Sequence, residues 1–140
     1  AEHPCVALHR AFLEALSAGD FAPWHTENVA EGALVTTGLA EAAAGDWKGP
    51  AMEGMQRLQS NATGCTIVGV EAMRDGSTRG MIQFRKMMMT VKVGTSLQWN
   101  EENKMTHIVV VKMAPDSFME DNTEAPAEAA AEAEAAPAEA

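Results

Sequence analysis

The chain has 140 residues, 46% of them apolar, with a formal charge of −10, and this length suits one domain built on one substantial core. Residues 120–140 hold seven of the 20 acids and no base, leaving 13 acids against 10 bases elsewhere. The mildly acidic remainder lacks the basic stripe of a nucleic-acid binder, and no apolar run approaches the roughly 20 residues of a membrane span.

In chain order, Pro4 suits the first turn of a helix running to about Ala18, with Gly19 placed to end it in a left-handed conformation. Leu8, Phe12, Leu13 and Leu16 form its apolar stripe, and His9, Arg10 and Glu14 are assigned to the opposite side. Asp20 is a candidate N-cap for a shorter second helix from Phe21 to about Val29, anchored by Trp24 and Val29. Residues 32–37 read as a short strand, and Asp46 to Gly49 as a turn. Pro50 then opens a third helix, Ala51 to about Ser60, with Met52, Met55 and Leu58 on one side.

The second half reads as strands. Cys65 to Met73 is followed by a turn at Asp75-Gly76 and then by a long run, Met81 to Val93, rich in β-branched and long apolar residues. Gly94 to Ser96 is expected to interrupt it before Leu97-Gln98-Trp99, and Asn100 to Lys104 forms a last hairpin loop before the strand Met105 to Met113. Three helices followed by long strands predict an α+β domain, helices packed on one face of a curved antiparallel sheet. In the final strand His107, Val109, Val111 and Met113 share one face, and Thr106, Ile108, Val110 and Lys112 share the other. Because both faces are partly apolar, a protein partner is expected on the outer face, most simply a second copy in a homodimer.

Residues 11–20 (Ala-Phe-Leu-Glu-Ala-Leu-Ser-Ala-Gly-Asp), the Trp47-Lys48-Gly49-Pro50 entry to the third helix and the closing hairpin from Trp99 to Val111 resemble the nuclear transport factor 2-like superfamily, including its SnoaL-like group. The resemblance covers roughly residues 4–116. It implies a cone-shaped fold, a hydrophobic pocket between helices and sheet, and dimerisation through the outer sheet face. Domain boundaries follow: residues 1–116 form the domain, and residues 117–140, an Ala/Glu/Pro-rich acidic segment without large apolar residues after Met119, form a disordered tail.

The superfamily includes isomerases, dehydratases, cyclases and epoxide hydrolases as well as non-catalytic assembly domains, so chemistry must be read from the site. The chain contains no Tyr, and the runs 81–93 and 105–113 carry no Asp or Glu, which removes the usual acid/base partners from the cone wall. His107 and His25 are the candidate proton-transfer groups if the protein is an enzyme, with Asp20 and Asp46 near the expected rim. The competing account makes both histidines structural. Candidate ligand contacts are Trp24, Trp47, Met55, Arg85, Met87 and Trp99, a soft Met-rich lining suited to a small apolar ligand.

Cys5 and Cys65 stand alone without metal-ligand spacing, so neither a metal nor another cofactor is expected, and free thiols are favoured over a disulfide. A first residue of Ala is what a cleaved targeting peptide leaves, which would suit a soluble protein of an organelle or lumen. The reading is a non-catalytic binding or assembly domain, dimer-forming or an accessory subunit. Its alternative is an isomerase-, cyclase- or dehydratase-type enzyme, or a carrier, acting on an apolar ligand.

Overall fold

The computed structural model describes residues 4–38 and 47–119; the acidic segment beyond Met119 and the rim candidate Asp46 lie outside them. Three helices, α1 (Pro4–Ala18), α2 (Ala22–Asn28) and α3 (Ala51–Ala62), accompany six strands, β1 (Val29–Gly38), β2 (Trp47–Pro50), β3 (Thr66–Ala72), β4 (Thr78–Lys86), β5 (Met89–Trp99) and β6 (Met105–Lys112). The strands form one sheet in the order β2-β1-β6-β5-β4-β3. The fold is α+β, with helices on one face of the sheet. One pairing departs from an all-antiparallel sheet: β1 runs parallel to β6, with Leu34 beside His107 and Gly38 beside Val111.

The run expected as a single strand from Met81 is a hairpin. Lys86 pairs with Met89, Phe84 with Val91 and Ile82 with Val93, and the two loop residues Met87 and Met88 have φ of 52° and 69°. Positive φ at both central residues is the geometry of a type I′ turn, whose twist matches that of the flanking strands. No Asn-Gly signal marks this turn, so uninterrupted β propensity concealed it. The reversal brings Ile82, Phe84, Val91 and Val93 to one face, whereas straight alternation places Val91 opposite Ile82 and Phe84. The Gly94 to Ser96 stretch does not interrupt β5, and Trp47 to Gly49, expected to lie in a turn from Asp46, belong to the edge strand β2.

The helix face of the sheet carries the main core, in which Phe12, Leu13 and Leu16 of α1 pack with Val35, Val70, Ile82, Leu97, Ile108 and Val110. Helix α1 comes close to β4 because Gly80 offers no side chain; a Cβ there would lie 2.8 Å from His9 Nε2 and 2.9 Å from Leu13 Cδ1. The cap of α2 is Phe21, not Asp20, and no side chain caps it. Phe21 N–H instead donates to Gln59 Oε1 at 3.1 Å, tying α2 to α3.

The outer face is covered in part by the chain itself. A 3₁₀ turn, Asp116–Met119, follows β6, and Phe118 packs in a second buried cluster with Met81, Val109, Val111 and Ala114. Its ring occupies the space left by Gly94, where a Cβ would lie 2.5 Å away. Arg79 clamps it, with the guanidinium 4.8 Å from the ring centroid and Nη1 donating to the Phe118 carbonyl at 2.8 Å. Packing thus continues past the boundary drawn at residue 116, and two-sided apolar alternation in β6 has an intrachain cause.

Candidate functional site

A cavity of about 530 Å³ opens between α3 and the helix face of the sheet, a size ordinary for small-molecule sites. Strand alternation decides which side chains enter it. Phe84 and Lys86 come from β4, Val91 and Val93 from β5, Val110 and Lys112 from β6, and Thr37 from β1. Helix α3 adds Gly54, Arg57, Leu58 and Asn61 from the opposite side, and β2 contributes Trp47. The Arg57 guanidinium lies 4.3 Å from the Trp47 ring centroid, a cation–π contact that fixes both groups at the edge of the cavity. Lys86 Nζ donates to Asn61 Oδ1 at 3.4 Å, joining β4 to α3. The described lining contains no Asp, Glu, His or Cys.

Of the candidate site residues that are described, Trp47 lines this cavity and the others do not. His107 stands on the outer face of β6, beside Leu34 of β1 and Gln98 of β5, with Nε2 2.9 Å from Thr36 Oγ1. Partial burial, followed by the nearby Lys48 charge, lowers its pKa, so the ring is neutral at physiological pH. His25 lies on α2 with its ring 6.3 Å from that of Phe21, and burial lowers its pKa also. The two histidines share no cavity. Arg85 donates to the Met88 carbonyl at 3.2 Å across the hairpin turn, Met87 projects from that turn 87% exposed, and Met55 is sealed in the core. Asp20 is exposed at the end of α1.

Trp24 and Trp99 belong to an aromatic group at the α1 end of the core. Phe12 and Trp24 have centroids 4.8 Å apart, Trp24 meets Trp99 edge-on at 6.4 Å, and Trp24 Nε1 donates to the Leu8 carbonyl at 2.9 Å.

Beside this group lies a residue that the sequence reading assigned to the wrong side of its helix. His9 is fully buried, with Nδ1 2.8 Å from Thr78 Oγ1 and Nε2 2.7 Å from Thr95 Oγ1. Trp99 Nε1 donates to Thr78 Oγ1 at 2.9 Å, and Thr95 Oγ1 donates to the Gly80 carbonyl at 3.2 Å. Every proton in this chain is used once only if Thr78 donates to Nδ1 and the imidazole carries its hydrogen on Nε2, donating to Thr95. The opposite tautomer sends two donors to Thr78 and takes the Thr95 hydrogen from Gly80. Burial, assisted by the Arg10 charge, lowers the His9 pKa to about 3. A permanently neutral imidazole of this kind joins α1 to β4 and β5 rather than transferring protons. The signal was present in the spacing: position 9 is four after Cys5 and three before Phe12, in the middle of the buried stripe.

Among the described residues, no group of three or more His, Cys, Asp or Glu side chains converges to hold a metal, both cysteines are free and buried, and no helix is long and apolar enough to cross a membrane.

Comparison with protein-family profiles and with curated proteins gives no match. Solved structures do match. An NTF2-like protein of unknown function from Cytophaga hutchinsonii superposes with a TM-score of 0.57 at 10% identity, over 80% of this chain and 92% of that one. The chain has the nuclear transport factor 2-like fold. Bal32a, a protein from a soil-derived mobile gene cassette, matches at 19% identity with a TM-score of 0.57, over 84% of this chain and 93% of that one. SalBIII, an epoxide hydrolase/cyclase-like enzyme of pyran ring formation in the polyether salinomycin, matches at 12% identity with a TM-score of 0.56, covering 77% and 89% of the two chains. At these identities the likeness establishes the nuclear transport factor 2-like, SnoaL-like fold, and a fold shared by an enzyme and by proteins of unstated activity does not select a function.

Proposed function

We propose that the protein is a non-catalytic binding domain whose cone cavity accepts a small ligand with an apolar body. The observation that carries this reading is the make-up of the cavity. Its walls are Phe84, Val91, Val93, Val110, Leu58 and Trp47, and no carboxylate, imidazole or thiol is among the described groups lining it. General acid/base catalysis needs a titratable group within hydrogen-bond reach of the reacting proton, and His107, the best candidate, is held by Thr36 on the reverse of the sheet. An apolar pocket with a few polar groups at its edge is the usual form of a binding site.

The outer face supports partner binding less than alternation in β6 suggested, since its apolar centre is filled by Phe118. Ligand binding is therefore preferred to assembly as the principal role. Thermal shift with a panel of small hydrophobic ligands tests it on the natural chain and on Val91→Trp, which fills the cavity from a half-buried wall position. The reading predicts that some ligands raise the Tm of the natural chain and that V91W abolishes the rise while His107→Ala leaves it intact. Absence of a response to any ligand, or a response that survives V91W and is lost in H107A, would overturn it.

A further inference from the structure

The cavity has a polarity that its apolar walls alone do not explain. Three of the chain's ten Lys and Arg residues, Arg57, Lys86 and Lys112, line it, on three different elements, and no acid is among its described lining residues. The described residues hold ten acids and ten bases, yet three bases and no acid are among those lining the cavity. Two of the cations have geometry that holds them near the opening. Arg57 is stacked on Trp47, and Lys86 reaches across to Asn61 on the same helix, one turn beyond Arg57. A guanidinium can form paired hydrogen bonds to a carboxylate.

We infer that the ligand is an amphiphilic anion, a carboxylate whose hydrocarbon or aromatic body lies among Phe84, Val91, Val93 and Val110 and whose head meets Arg57 and Lys86. This rests on the reading of the cavity as a ligand site and adds the class of molecule. A neutral hydrophobe would gain the wall contacts but would offer no charge to the exposed Arg57 and Lys86. A cationic amphiphile would meet like charge. Because both cations are exposed, the charge contributes through a screened interaction, so it should weaken as ionic strength rises.

Octanoate, octanol and octylammonium share one chain length and differ in the head group, which separates the two levels of the proposal. Isothermal titration of each into the full chain at low salt is expected to show octanoate binding about tenfold tighter than octanol, with octylammonium weakest, and that preference is expected to shrink in 0.5 M salt. In Arg57→Gln/Lys86→Gln the acid-to-alcohol ratio should fall close to one while octanol affinity is retained. Octanol equal to or tighter than octanoate in the natural chain, or an undiminished ratio in the double variant, would overturn the anionic assignment and leave the cavity reading standing. No binding of either compound would overturn both. Should the double variant unfold, the salt dependence in the natural chain decides alone.

Discussion

Replacing His9 by Gln removes a fully buried imidazole that the fold keeps neutral, and its consequence is a change in how stability depends on pH. The folded pKa of about 3 stands against an ordinary value of 6.5. Between those two values the unfolded chain binds a proton that the folded chain refuses, so stability is fully present above pH 6.5 and is lost as pH falls toward 3. From pH 8 to pH 5 this linkage amounts to about 2 kcal/mol, taken from 1.36 kcal/mol per pH unit acting over the 1.5 units below 6.5. Urea unfolding of the natural chain and of H9Q at both pH values isolates it, since the lowered pKa values of His25 and His107 act alike in both proteins. H9Q should be less stable at pH 8, where Thr78 and Thr95 lose their well-placed partner, yet should lose about 2 kcal/mol less than the natural chain on acidification. Equal pH dependence in the two proteins would refute the assignment of His9 as a neutral bridge.

Replacing Met87-Met88 by Asn-Gly should stabilise the protein by about 1 kcal/mol, because two L-residues with large side chains now hold left-handed conformations in the β4–β5 turn; an unchanged or lower urea midpoint would count against the two-residue turn. Phe118→Ala should cost about 2 to 3 kcal/mol, below the upper range for core phenylalanines because the 3₁₀ turn lies at the edge of the fold. It should also uncover Met81, Val109 and Val111, so native mass spectra of F118A should show more self-association than those of the natural chain; no change in either stability or assembly would show that Phe118 does not close the outer face.

The parts of the fold legible in the sequence were those set by periodicity and punctuation. Helix α1 ends where Gly19 places it, α3 follows Pro50, and the two faces of β6 divide as alternation requires, Ile108 and Val110 toward the helices and Val109 and Val111 away. What escaped is non-local or lacks a turn residue. Met87 and Met88 carry no turn chemistry, so the β4–β5 reversal is imposed by cross-strand pairing such as Phe84 with Val91 and Ile82 with Val93. The parallel contact of β1 with β6 joins segments about 70 residues apart, which no local pattern records.

The candidate site was legible only in outline. Trp47 was identified, but the cation set was not, because Arg57, Lys86 and Lys112 lie on three elements and meet only after the sheet curves beneath α3. Placing Lys86 inside the cone also depends on recognising the hairpin turn. Arg85, its neighbour, points to the other side, and a slip of one residue exchanges the two.

A ligand is expected in the cone cavity and not at His107. Amide and side-chain chemical shifts of isotopically labelled protein, followed as octanoate is added, test this most directly. The predicted result is a set of saturable changes at Thr37, Trp47, Arg57, Phe84, Val91 and Val110, with the His107 ring and Thr36 unmoved. Saturable changes centred on His107, Thr36 and Leu34, with the cavity residues silent, would contradict it.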